Sequence, residues 1–154
     1  MKILVTTGTG KFNSLVTSVL DCSGLIKSKI DVQCGVSADM FLSEYPDIKF
    51  YNFIDDLTSK IFDYDLVISH CGAGNVFHML ENSINFIAVP NLERHDKHQL
   101  ELANYLHNNN LCPVCFDVSD ILKFILNYDS LLFENYKKEE FFLTEFLINF
   151  INKS

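Results

Sequence analysis

Asp65-Leu66-Val67-Ile68-Ser69-His70-Cys71-Gly72-Ala73-Gly74-Asn75 decides how this chain is read. Leu66 to Ile68 is wholly apolar and largely β-branched, the pattern of a strand buried on both faces. It stops at a bend in which two glycines bracket an alanine, and positions 75–81 then take helical spacing. Strand, glycine bend and helix in that order put the bend at the carboxyl end of a strand. The first N–H groups of the helix have no partner within it, and the helix dipole adds partial positive charge there. Binding an anion, a diphosphate above all, is the chemistry such a place offers. Ser69 and His70 add side-chain hydrogen bonds at the strand's end. The bland alternative is a tight turn with no ligand.

The amino terminus repeats the pattern. An apolar run over 2–7 enters Thr6-Thr7-Gly8-Thr9-Gly10, and a helical spacing follows over 12–20, with Asn13 or Ser14 as its cap. The bend lacks the GxxxxGK[ST] spacing of a P-loop and the full GxGxxG fingerprint. Further strands are expected over 31–36, 48–53, 65–69 and 85–89, with a weaker one over 112–116. Helices are expected over 55–62 (capped by Asp55), from 96 or 97 to 108, over 118–128 and over 134–152. The alternation predicts an α/β fold: a Rossmann-like parallel sheet with helices on both faces. Ligands of such sheets bind beyond the carboxyl ends of the strands, where both glycine bends fall.

A third stretch reaches the same rim. After the strand over 85–89 come Pro90, Asn91 and a polar loop, then a helix carrying His98, Gln99 and Glu101 in its first turns. Neutral donors and acceptors of this kind suit the hydroxyls of a ribose or sugar. Cys112-Pro113-Val114-Cys115 has CxxC spacing without a second pair, inside a probable strand, so packing cysteines are expected. His95 and His98 lack an evident third ligand, and no metal is expected.

Composition bounds the rest. At 154 residues and 17.7 kDa, one domain with a real core is expected, over 1–133, followed by a tail over 134–154. A hydrophobic fraction of 48% excludes a disordered chain. A formal charge of -8 argues against nucleic acid as a partner. The opening apolar run is too short for a signal peptide or a span, and the five scattered cysteines do not form a secreted disulfide framework, so a cytoplasmic location is expected. In the tail, Phe142, Phe146, Phe150, Leu143, Leu147 and Ile151 share one helical face, suited to packing on the domain or to docking a partner.

The motifs together, Asp65 to Gly74, Val89-Pro90-Asn91 and His98-Gln99-Leu100-Glu101-Leu102-Ala103, resemble the C-terminal nucleotide-sugar-binding domain of family 28 glycosyltransferases, a half of a GT-B enzyme. The opening bend and the HQLELA helix narrow the resemblance to the small cytosolic subunit type of the eukaryotic UDP-N-acetylglucosamine transferases of dolichol-linked oligosaccharide synthesis. The resemblance implies a half-enzyme that holds UDP-GlcNAc. A membrane-anchored partner subunit would supply the lipid-diphosphate acceptor at the cytosolic face of the endoplasmic reticulum. The implied reaction is metal-free, inverting β1,4 transfer of the second GlcNAc to GlcNAc-diphosphate-dolichol. The implied substrate-binding residues are Gly8, Thr9, Gly10, Ser69, His70, Gly72, Ala73, Gly74, Asn75, His78, Asn91, His98, Gln99 and Glu101. No general base is evident. His78 stands where the family usually places a glutamate that accepts from ribose hydroxyls, and Ser83-Ile84-Asn85 replaces a Gly-Lys-Pro-like turn. A non-catalytic nucleotide-sugar scaffold and a standalone transferase with another acceptor are the competing readings.

Overall fold

The computed structural model describes residues 1–94 and 97–138. Among them, five parallel strands form one sheet in the order β3-β2-β1-β4-β5. They are β1 (Lys2–Thr6), β2 (Lys29–Gln33), β3 (Lys49–Tyr51), β4 (Leu66–His70) and β5 (Phe86–Val89). The helices are α1 (Asn13–Asp21), α2 (Ala38–Leu42), α3 (Leu57–Lys60), α4 (Ala73–Glu81), α5 (His98–Asn108) and α6 (Ile121–Asn127). The Rossmann-like architecture read from the alternating pattern is present.

Strand pleating divides the core into two layers. On one face Ile3, Val5, Ile30, Val32, Leu66, Ile68, Ile87 and Val89 meet Leu15, Val16, Val19 and Leu20 of α1 and Ile121 and Ile125 of α6. On the other, Leu4, Val67, Phe86 and Ala88 meet Val76, Met79 and Leu80 of α4 and Ala103 and Leu106 of α5. The α1 and α4 stripes are the spacings that made them helices in the sequence. Burying Val76, Met79 and Leu80 contributes about 1.5–3 kcal/mol each, so α4, and with it the second bend, is fixed from below.

The sheet order sets the site. β1 continues outward to β2, whereas β4 continues the other way to β5. β1 and β4 are neighbours with Thr6 opposite Ser69, and their following helices lie on opposite faces. The carboxyl ends of β1 and β4 therefore flank the crevice where connections diverge.

Several boundaries differ from expectation. β2 begins at Lys29, which pairs with Lys2, and ends at Gln33, because Gly35 takes φ +56° and opens a 3-10 turn over Gly35–Ser37. The edge strand β3 is only three residues long. The helix expected over 55–62 is α3 followed by a 3-10 turn, Ile61–Asp63; Asp56, at φ +52°, precedes it in place of Asp55. Neither Asn13 nor Ser14 caps α1: Phe12 holds that position, with no side-chain cap. α4 starts two residues early, at Ala73, with Gly72 before it. The strand expected over 112–116 is reduced to one bridge, Ala88 to Val114. Pro113 has no N–H for a ladder, although its carbonyl accepts from Ala88 at 2.9 Å. Residues 134–138, expected as the start of a helix, carry no regular structure. Glu134 N–H bonds the Asn110 carbonyl at 2.9 Å, Tyr136 packs on Phe77, and Lys138 pairs with Glu81 at 3.0 Å. The rest of the expected tail helix, 139–154, lies outside the described residues, as do His95 and Asp96.

Candidate functional site at the carboxyl edge of the sheet

The first bend is held by a buried glutamine. Gln33, 2% exposed, accepts from Thr6 Oγ1 at 2.5 Å, and its Nε2 donates to the Gly8 carbonyl at 3.0 Å. Thr7 N–H donates to the Gln33 carbonyl at 3.0 Å, and Thr7 Oγ1 closes the loop onto the Gly10 carbonyl at 2.9 Å. Gly35, in the turn after β2, supports the bend, its backbone in the left-handed region and close to the Thr9 carbonyl. Thr9 is left exposed and Gly8 and Gly10 half-exposed at the rim. Sequence reasoning missed Gln33; a long polar side chain at the carboxyl end of an otherwise apolar strand was the available signal.

The two bends face each other with the His70 ring between them. A Cβ on Gly8, itself at φ +66°, would stand 2.5 Å from His70 Cε1, and one on Gly72 would lie closer still to Nε2. At both positions a side chain would therefore meet the imidazole, and at Gly8 the left-handed backbone favours glycine as well. Burial pushes the His70 pKa below the ordinary histidine range; the Thr6 backbone opposes this and the Arg94 guanidinium adds to it. His70 is thus neutral at physiological pH. Its Nδ1 has no hydrogen-bond partner among the described residues.

Beyond the ring, α4 opens to solvent. Gly72 precedes it with extended backbone, and Val76 N–H, bonded to the Gly72 carbonyl at 3.0 Å, is the first intrahelical donor. Among the described residues, the amides of Ala73, Gly74 and Asn75 donate to no backbone carbonyl, and no side chain caps the helix. Ala73 and Gly74 are exposed, and nothing stands within 4 Å of a Cβ added to Gly74. This is an uncapped, accessible N-terminus of a nine-residue helix, suited to an anion.

The remaining side chains divide by what already holds them. Ser69 is fully buried and its hydroxyl donates to the His70 carbonyl at 3.0 Å, so it belongs to the wall. Asn91, 5% exposed, donates through Nδ2 to the Lys11 carbonyl at 2.9 Å and accepts from Glu93 N–H at 3.1 Å. Its own N–H donates to Gln99 Oε1 at 3.0 Å. Asn91 thus ties the loop after β5 to the loop after β1, and Gln99 ties the loop after β5 to α5. Gln99 Nε2 appears in none of these bonds, and His98 and Glu101 are exposed as a loose pair, 3.7 Å apart. His78 turns to α3: its Nε2 lies 3.0 Å from the Thr58 carbonyl, and Asn82 Nδ2 is 3.4 Å from its Nδ1. A carbonyl partner requires the proton on Nε2, leaving Nδ1 to accept. The structure therefore gathers the glycine bends, Asn91 and Gln99, and engages His78 elsewhere.

The CxxC cysteines belong to the core. Cys112 lies in the α4 and α5 layer and Cys115 in the α1 and α6 layer, and burial pushes both thiols up to about 12. Neither is a thiolate at neutral pH.

Residues 2–138 match the model of the glycosyltransferase family 28 C-terminal domain. This chain belongs to that family. Over 114 residues it is 34% identical to the human UDP-N-acetylglucosamine transferase subunit ALG13, covering 68% of this chain and 10% of that protein. The Yarrowia lipolytica protein of the same name is 31% identical over 148 residues, 87% of this chain and 76% of that protein. The chain thus spans a tenth of its human relative and three quarters of the yeast one. Among solved structures, Acinetobacter baumannii MurG superposes with a TM-score of 0.69 at 20% identity, over 84% of this chain and 42% of MurG. The ALG13 solution structure gives 0.60 at 20% identity, over 98% and 96%. These superpositions establish the GT-B half-domain fold.

Proposed function

We propose that this chain is the UDP-GlcNAc-binding subunit of an N-acetylglucosaminyltransferase, active together with a membrane-anchored subunit that brings a lipid-diphosphate acceptor. The observation that carries the reading is the exposed start of α4, where the amides of Ala73, Gly74 and Asn75 have no described backbone partner beside the switch point. The family membership and the names of its curated relatives support the donor and the transfer chemistry. The reaction would be inverting addition of the second, β1,4-linked GlcNAc to GlcNAc-diphosphate-dolichol at the cytosolic face of the endoplasmic reticulum. The acceptor hydroxyl oxygen bonds to the anomeric carbon as the bond from that carbon to the diphosphate breaks. The electron pair leaves with UDP, and the hydroxyl proton passes to a base, which the acceptor subunit would supply. In the absence of a metal cofactor, the α4 amides and the first bend would stabilise the departing diphosphate, in whose favour the helix dipole is already oriented. Gln99 Nε2 and the exposed His98 and Glu101 are the side chains that would meet sugar and ribose hydroxyls.

One observation favours the reading of a non-catalytic nucleotide-sugar binder: His78, held by Thr58, is not poised to replace a ribose-binding carboxylate. Calorimetry of the complex with its membrane partner, using UDP-GlcNAc, together with transfer to a short-chain diphospholipid acceptor, separates the readings. Binding with transfer supports the enzyme, binding without transfer the scaffold, and neither ends both.

A further inference from the structure

The chain contains a single arginine, Arg94, and the fold brings it to the crevice. Three residues before it, the bonds of Asn91 to Lys11, Glu93 and Gln99 fix the loop that carries it. Arg94 Nη1 stands 3.5 Å from the place a Cβ would occupy on Gly10, and the guanidinium is near enough to His70 to oppose its protonation. The guanidinium is thus placed over the first bend and next to the ring that joins the two bends. The bends themselves offer only neutral amides, and His70 between them is neutral as well.

That arrangement matches what a diphosphate leaving group requires. When the bond between sugar and phosphate breaks, the electron pair stays on the phosphate oxygen and the negative charge there grows. A fixed cation beside it favours the transition state over the ground state. A planar guanidinium can meet two phosphate oxygens at once, which an ammonium cannot. We propose that Arg94 clamps the donor's diphosphate against the glycine bends, and that Asn91 is the residue that positions it. This rests on the donor-site reading above.

The test titrates the chain with UDP and, separately, with uridine, following amide chemical shifts. Arg94→Ala is expected to weaken UDP by about ten- to a hundredfold, the scale of a lost charged hydrogen bond, and to leave uridine unchanged. Arg94→Lys recovers part of the loss. Asn91→Ala removes the donor to Lys11 without adding charge, and is expected to lose UDP selectively in the same way. A merely structural role would lower UDP and uridine together. Equal loss of both ligands, or an Arg94→Ala variant that binds UDP like the natural chain, overturns the clamp and leaves the donor site standing. A natural chain that binds neither UDP nor uridine overturns the donor site and the clamp with it.

Discussion

Gly72→Ala offers a direct measure of the wedge formed by His70. At Gly72 the backbone has φ -82° and ψ 120°, a conformation open to any residue, so alanine carries no backbone strain there. The whole penalty is steric: the new methyl would enter the His70 ring, which is held between two bends. Overpacking of this kind costs about 1–3 kcal/mol. With a urea dependence of about 1–3 kcal/mol/M, the midpoint should fall by roughly 1 M with an unchanged slope. In a His70→Ala background the obstacle is gone, and the same substitution should cost no more than about 0.5 kcal/mol. His70→Ala alone removes a mostly buried ring, at about 2–5 kcal/mol for a core truncation, so the cycle is run at the temperature of greatest stability. Gly8→Ala provides the contrast. Its φ of +66° adds about 1–2 kcal/mol of left-handed strain, and that part should persist when His70 is absent. Equal losses for Gly72→Ala in both backgrounds would refute the wedge.

Three further outcomes follow from the same contacts. The His70 pKa is lowered in the folded state, so the unfolded chain binds more protons at mildly acid pH. Stability should be full above about pH 6.5, the unfolded histidine value, and fall as pH drops below it with a slope of up to about 1.4 kcal/mol per unit; urea midpoints across pH 5–8 check this, and His70→Gln should flatten the histidine part of the slope. His78→Glu replaces the donor to the Thr58 carbonyl with an acceptor, and is expected to destabilise by about 1 kcal/mol in thermal unfolding. Gly74→Ala meets open space inside the first turn of α4 and should stabilise by up to about 1 kcal/mol, a rise of roughly 3 °C in melting temperature.

The parts of the fold set by hydrophobic period were legible in the sequence. Leu66 to Ile68 reads as a two-sided buried strand because it is one, and the stripes on α1 and α4 are their buried faces. Both glycine bends were placed at the correct strand ends for the same reason. What sequence could not reveal depends on contacts between distant residues. Gln33 builds the first bend from 25 residues away, through its bond to Gly8. That a side chain at 8 or 72 would meet His70 is visible only in the fold. Asn91 and Gln99, implied as ligand contacts by the resemblance, also make bonds that no sequence pattern shows: Asn91 to the Lys11 carbonyl, and Gln99 to the Asn91 N–H. Arg94 went unremarked because a lone charge in a polar loop carries no pattern. Element ends shifted where backbone geometry overrode propensity, as at Gly35 and Asp56, both left-handed.

The most direct test of the account is the amide spectrum of the natural chain during a UDP titration. Large, saturable shifts are expected, centred on Ala73, Gly74 and Asn75, with smaller ones at Gly8 to Gly10. Saturable binding that leaves those amides unmoved would contradict a diphosphate seat at the start of α4.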